Sequence, residues 1–188
     1  MRSNSRVLVP LATGCEELEA VTVIDLLRRA GIQVVCAGLQ PGSVVASRGT
    51  VLVPDTTLDD ALREEYDMVV LPGGLPGANY LQGDDRIIRL IRTMAGQGKY
   101  TAAICAAPKV LAKAGLLEGR QATCYPGSLS QAELRGVQLS DKPVVQDGTT
   151  ITSRGPGTAM DFALHLIEIL AGRDARVQVE AGLQRPGH

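Results

Sequence analysis

Residues 99–117, KYTAAICAAPKVLAKAGLL, decide how this chain folds, because they hand a cysteine directly from a strand to a helix. Residues 99–104 are the short run of apolar and small side chains expected of a strand buried on both faces, and Pro108 marks a helix start. Proline suits a helix's first turn, where its missing N–H leaves no bond unmade. Cys105 then sits at the junction, beside the free N–H groups of Ala106 and Ala107 and the positive end of the helix dipole. A thiol so placed is expected to ionise more easily than a free one. The small neighbours Ala102, Ala103, Ala106 and Ala107 suit a sharp strand-to-helix turn of the nucleophile-elbow kind. A buried structural cysteine is the competing reading, since free cysteine is among the most buried residue types.

On the N-terminal side, residues 6–11 (RVLVPL) read as a first strand and 12–14 as its turn. Residues 15–30 have helical periodicity and stop at Gly31. Ala20, Val23, Ile24 and Leu27 define the apolar side, with Thr22, Asp25 and Arg29 opposite. Glu19 falls beside Val23, Leu26 and Ala30, an odd place for a carboxylate. Glu16 shares that side, so periodicity does not choose between them, and Glu16, Glu17 and Glu19 would also complement the helix dipole. Residues 32–38 give a second strand. Residues 44–53 read as two short strands around Ser47, Arg48 and Gly49, at the sheet's edge or in a lobe beside it, and 58–63 as a short helix. A buried strand at 67–71 runs into Pro72, Gly73 and Gly74, where consecutive glycines either aim N–H groups outward as an anion nest or simply make a tight turn. Residues 84–95 form an amphipathic helix with Ile87, Ile88, Leu90, Ile91 and Met94 on or near one face.

On the C-terminal side, 121–124 reads as a short strand and 128–134 as a brief helix. The segments 144–146 and 150–152 flank Asp147-Gly148, a strong hairpin signal. Ser153 to Gly157 lead into a helix reaching about Ala171, with Thr158 and Asp161 spaced like a capping box. The helical stretch 174–182 and the tail 183–188 are expected to cover a sheet edge or fray. Strands alternating with helices imply an α/β fold, a mostly parallel sheet with helices on both faces. Ligands of such sheets bind outside the carboxyl ends of the strands, at a switch in strand order. The turn before Glu19, the Gly73-Gly74 turn and Cys105 each follow a strand, so all three are expected on one edge.

Composition bounds the function. With 188 residues, 45% of them hydrophobic, and mean hydropathy near zero, the chain reads as one domain over 1–188 with a full core. A net charge of −1 and the lack of like-charge runs argue against nucleic-acid or membrane-surface roles. No apolar run approaches the roughly 18 residues of a membrane span. The N-terminus lacks the pattern of a signal peptide, so a cytoplasmic location is expected. Cys15, Cys36, Cys105 and Cys124 show no zinc-type spacing and read as reduced thiols, with no metal or other cofactor.

Four motifs in order, GCEELEAVTVIDLLRRAGI (14–32), VVLPGG (69–74), AAICAAP (102–108) and TSRGPGTAMDFAL (152–164), resemble the ThiJ/PfpI superfamily, most closely the branch of the parkinsonism-associated deglycase and YajL. The resemblance spans almost the whole chain. It implies a flavodoxin-like three-layer sandwich, similar to the class I glutamine amidotransferase fold, that forms a homodimer. It places the family's nucleophilic, oxidation-prone cysteine at Cys105 and its active-site glutamate at Glu19, which stays protonated and donates to sulfur. Burial and like charge would both raise that glutamate's pKa. Gly73, Gly74 and Ala106 correspond to the N–H groups that hold an oxyanion.

One departure is chemical. Several relatives carry a histidine where this chain has Tyr125, and protease-like members carry one where it has Ala106. Neither His165, on the polar side of a late helix, nor His188, the last residue, suits a general base for Cys105. Peptidase and glutamine amidotransferase activities are thereby disfavoured. The expectation is a glyoxalase III or deglycase type of enzyme acting on methylglyoxal or early glycation adducts. The alternative is an oxidative-stress sensor or chaperone working through oxidation of Cys105.

Overall fold

The computed structural model describes residues 5–185. From the N-terminus the elements are β1 (Arg6–Leu11), α1 (Glu17–Arg29), β2 (Gln33–Gly38), β3 (Val44–Val45), β4 (Val51–Leu52) and β5 (Thr56–Thr57). There follow α2 (Leu58–Ala61), β6 (Met68–Leu71), α3 (Gly77–Gly83), α4 (Asp85–Gly96), β7 (Tyr100–Ile104) and α5 (Pro108–Lys113). The last third holds β8 (Gln121–Ala122), β9 (Gln138–Leu139), β10 (Val144–Asp147), β11 (Thr150–Ser153), α6 (Ala159–Ala171) and α7 (Arg173–Gly182).

Seven strands form one sheet in the order β10-β11-β7-β6-β1-β2-β5, parallel except for the β10–β11 hairpin at the edge. Period-two alternation along buried strands sends side chains to two cores. Val7, Val9, Ala102 and Ile104 pack under α1 and α6, with Phe162 fully buried among them. Leu8, Val69, Leu71 and Ala103 pack on the other face with Leu81, Ile91 and Leu111 of α3, α4 and α5. The result is the expected three-layer α/β sandwich with a flavodoxin-like arrangement. The switch in strand order lies at β1, which has β2 on one side and β6 on the other. β6 pairs with β1 at Val7 and Leu8; Pro10, with no N–H, offers no ladder donor beyond them.

Several local expectations are corrected. Residues 128–134 form turns, not a helix: only Leu129 is buried there, and a segment this short needs a packed face to hold helical structure. Helix α3 follows directly on the glycine-proline run, which hid it, and is fixed by burying Ala78 and Leu81. The 121–124 strand shortens to β8 and pairs with β9. On α1 the buried side is Glu19, Ala20, Val23, Leu26 and Leu27, and Ile24 is only partly covered. As expected of residues 44–53, β3 and β4 are two short strands, and they make a separate two-stranded sheet beside the main one. α7 packs on α6 rather than on a sheet edge, with Arg176 paired to Glu168. The capping box at Thr158 does not form: Asp161 pairs with Arg185, and the Thr158 hydroxyl turns back to Ser153 and Gly155. His188 lies outside the described residues. Among the described residues no helix is long and apolar enough to cross a membrane.

Candidate active site

Cys105 follows β7 at a φ of +64°, in the left-handed region that non-glycine residues avoid. Such a conformation costs on the order of 1–3 kcal/mol and persists only where its surroundings over-determine it. Here they do. The Cys105 N–H donates to the Ser153 carbonyl (3.0 Å), and its own carbonyl accepts from the Tyr125 N–H (2.8 Å) and the Ser128 hydroxyl (3.4 Å). The sharp turn expected from the alanine-rich sequence is thus present, and it leaves Cys105 buried, 8% exposed as a residue, on the α1 side of the sheet.

Glu19 comes from the first turn of α1 and is completely buried. Its Oε2 accepts the Gly73 N–H at 2.8 Å, while Oε1 is buried with no geometric hydrogen-bond partner among the described residues. Burial pushes the carboxyl up to about 7, against the opposing pull of the Gly73 N–H and the Cys105 thiol. One oxygen held by an N–H and the other bare is how a neutral acid sits, with its hydroxyl free to donate. Glu16, the alternative that periodicity left open, turns away: its Oε2 accepts from Ser47 Oγ at 2.9 Å. Glu17 accepts from Ser47 Oγ and from the Arg48 and Thr50 N–H groups. These bonds outweigh its partial desolvation and hold it down at about 2. The side chains of Glu16 and Glu17 therefore tie the helix start to the β3–β4 hairpin, and Glu19 alone of the three meets the thiol.

Burial, then the charge of Glu19, pushes the Cys105 thiol up to about 12, although the Gly74 and Ala106 N–H groups act on the sulfur in the opposite sense. This corrects the simple expectation of easy ionisation at a helix start. The two groups share one negative charge. While Glu19 is the anion the thiol holds its proton; while Glu19 is protonated the repulsion is gone and an O–H donor faces the sulfur. Among the three backbone groups expected to hold an oxyanion, Gly73 is occupied otherwise, since its N–H positions Glu19. Gly74 and Ala106 are the donors directed at the sulfur.

Glycine is required where the loops after β1 and β6 interlock. A Cβ at Gly74, itself at φ +85°, would lie 2.3 Å from the Glu16 nitrogen, and one at Gly77 would lie 2.6 Å from the Cys15 nitrogen. Cys15, fully buried in this knot, is pushed up to about 11 by burial and by Glu17, so it is not set up as a second reactive thiol. Tyr125 contributes its backbone N–H to Cys105, and its half-exposed ring lies near Gly155. His165 pairs with Gln146 of β10 at 2.8 Å. The supporting residues Ser153 and Ser128 were not singled out from the sequence, because nothing local marks a carbonyl or hydroxyl that acts on a residue far along the chain. Among the described residues no group of three or more His, Cys, Asp or Glu side chains converges as metal ligands would.

The burial of Glu19 has a consequence for stability. Unfolded, the carboxyl titrates near 4.5; folded, near 7. The folded state binds this proton more tightly, so stability falls as pH rises from 4.5 through 7 and levels off above. Glu19→Gln removes this component. The variant is expected to gain on the wild type in Tm across that window, with no further gain at higher pH, in thermal unfolding at matched ionic strength. Parallel profiles for the two proteins would show that Glu19 is ionised throughout.

The family model for the DJ-1/PfpI family matches residues 5–169, covering all the elements that build this site. Protein dj-1beta of Drosophila melanogaster is 46% identical over 181 residues, 96% of this chain and 97% of that protein. The crystal structure of Drosophila DJ-1beta superposes with a TM-score of 0.91 at 44% identity, covering 97% of this chain and 98% of that one. A structure of oxidized DJ-1 from Toxoplasma gondii gives 0.88 at 37% identity, over 97% and 99%. The glutathione-independent glyoxalase DJR-1.2 of Caenorhabditis elegans is 35% identical over 171 residues, 91% of this chain and 90% of its own. With the family model spanning residues 5–169 and the fold matched over 97% of the chain, the chain belongs to the DJ-1/PfpI family, in its DJ-1-like branch.

Proposed function

We propose that this protein is a cysteine-dependent stress-protection enzyme of the glyoxalase III or deglycase type, acting on methylglyoxal or on the early adducts it forms. The observation that carries the reading is the meeting of Cys105 in a strained elbow with the buried, protonatable Glu19 and two N–H donors at the sulfur. The glyoxalase name of the Caenorhabditis elegans relative supports it. The sulfur adds to the aldehyde carbon, the C=O electron pair moves to oxygen, and the Gly74 and Ala106 N–H groups hold the charge until a proton arrives from Glu19. The Glu19 carboxylate then removes the hydrogen on that carbon to give an enediol, and returns a proton to the neighbouring carbon. One carbon is oxidised and its neighbour reduced, so no outside oxidant enters. Water cleaves the resulting thioester, releasing lactate and restoring the thiol. No step needs a histidine.

The deciding experiment is lactate formation from methylglyoxal by the reduced protein without glutathione, beside identically purified variants of Cys105 and Glu19. Equal lactate from all of them would mark a contaminating activity and remove the reading. The second reading, a sensor working through oxidation of Cys105, is favoured by one observation, the solved oxidized form of the Toxoplasma gondii relative. It uses the same N–H groups to hold a sulfinate. An inactive protein in which peroxide adds two oxygens to Cys105 alone would put it first.

The homodimer expected from the family has a suitable surface. Leu18 and Val21 of α1 are exposed, as are Val45, Val51 and Val53 of the hairpin that Glu17 ties to that helix. Val51→Asp places a charge in this apolar group and is expected to halve the molar mass seen by light scattering while leaving the circular dichroism unchanged. An unaltered mass would place the contact elsewhere.

A further inference from the structure

The loop from Ser153 to Thr158 is closed by two hydroxyls: Ser153 reaches Pro143 beside β10, and Thr158 accepts the Gly155 N–H to cap the short 3-10 turn 156–158 that leads into α6. Ser153 ends β11 completely buried; its Oγ donates to the Pro143 carbonyl (2.9 Å) and meets Thr158 Oγ1 at 2.7 Å. Thr158 Oγ1 in turn lies 2.9 Å from the Gly155 carbonyl oxygen and 3.1 Å from its nitrogen. Thr158 stands at the N-cap of α6, where a threonine hydroxyl ordinarily accepts from its own helix, yet it makes no such bond. It caps the turn before the helix instead, and there it also meets Ser153, the residue whose carbonyl holds the Cys105 N–H.

That carbonyl is one of two backbone anchors of the elbow. The other, on the carbonyl side of Cys105, comes from Tyr125 and Ser128. With either anchor lost, φ would be free to relax from +64° toward the ordinary range, which would turn the side chain from Gly74 and Ala106. We propose that Thr158 is a positioning residue for Cys105: through Ser153 its hydroxyl fixes the carbonyl that anchors the elbow and keeps the thiol aimed between the Gly74 and Ala106 N–H groups. The inference rests on Cys105 being the reactive thiol of the proposed function, and not on the identity of the substrate.

The test is alkylation of the reduced, folded protein by iodoacetamide as a function of pH, with each cysteine followed by mass spectrometry. Thr158→Val keeps the shape and deletes the hydroxyl; Thr158→Ser keeps the hydroxyl. The valine variant is expected to alkylate Cys105 about tenfold more slowly near neutral pH, with its profile moved to higher pH, while the serine variant stays within about twofold of wild type. Ser153→Ala, which cuts the link while leaving Thr158 on Gly155, is expected to match the valine variant, and it decides the matter if the valine variant loosens enough to expose Cys15, Cys36 and Cys124. A folded valine variant with the wild-type rate and profile overturns the inference, as does a serine variant slowed equally. A wild-type Cys105 no more reactive than Cys124 overturns it together with the thiol reading. A reactive, Thr158-dependent thiol that makes no lactate removes only the catalytic reading.

Discussion

On the proposed function, Cys105→Ser is expected to lower kcat/KM for lactate formation by more than about a thousandfold, with little change in Tm. The substitution alters one buried atom, so the fold is expected to stand. The chemistry is not. A serine hydroxyl is scarcely ionised near neutral pH and needs a base poised to take its proton. The described histidine is occupied elsewhere, with His165 on Gln146. Glu19 is poorly suited to that task, because burial keeps it protonated until about pH 7, and once ionised it would have to take a proton from a far weaker acid than a thiol. In the proposed mechanism the pair suits sulfur because one charge can pass between two groups in contact. Retention of more than about a tenth of the wild-type rate would mean that the thiol is not the nucleophile.

Gly73→Ala is expected to disable the site and destabilise the protein by about 1–3 kcal/mol, the range for overpacking a closed interior. A methyl group there would lie 2.6 Å from the Cys105 Cβ, 2.8 Å from Glu19 Oε2 and 2.9 Å from the Ile104 carbonyl oxygen. The Cys105 Cβ and the Ile104 carbonyl are fixed by the backbone, and the Glu19 carboxyl, though it ends a side chain, is buried and held by the Gly73 N–H. Relief requires β6 and β7 to separate at the site or Glu19 to leave the Gly73 N–H, and either change uncouples acid from thiol. Gly96→Ala is the matched control: nothing lies within 4 Å of its added carbon, and the change is expected to be neutral or stabilising by up to about 1 kcal/mol. Urea unfolding and lactate assays on both variants check the contrast. A Gly73→Ala variant as stable and active as the control would show that the three groups are not packed this closely.

Much of this arrangement is legible in the sequence. Strands β1, β2, β6 and β7 announce themselves as apolar runs, each ended by glycine, proline or a small-residue turn, and the Asp147-Gly148 hairpin is specified locally. Their alternation with helices fixes a parallel sheet, which gathers the loops carrying Glu19, Gly73 and Cys105 on one edge. Periodicity left Glu16 and Glu19 level, and family resemblance chose Glu19. The physical separation of the two comes from packing, since the β3–β4 hairpin claims Glu16 and Glu17 for Ser47.

By itself the sequence determined the layers, the edge on which the site lies and the cysteine at the elbow, because these depend on periodicity and on backbone preferences that act within a few residues. Only the tertiary structure decided that the Gly73 N–H is given to Glu19, that the thiol is held back by a carboxyl sharing its charge, and that Thr158 turns from its helix to Gly155 and Ser153. Each of these depends on burial and on hydrogen bonds between segments brought together by the fold. Desolvation acts on a group only once the chain has closed around it, and a donor's partner is fixed only when every competing partner has been placed.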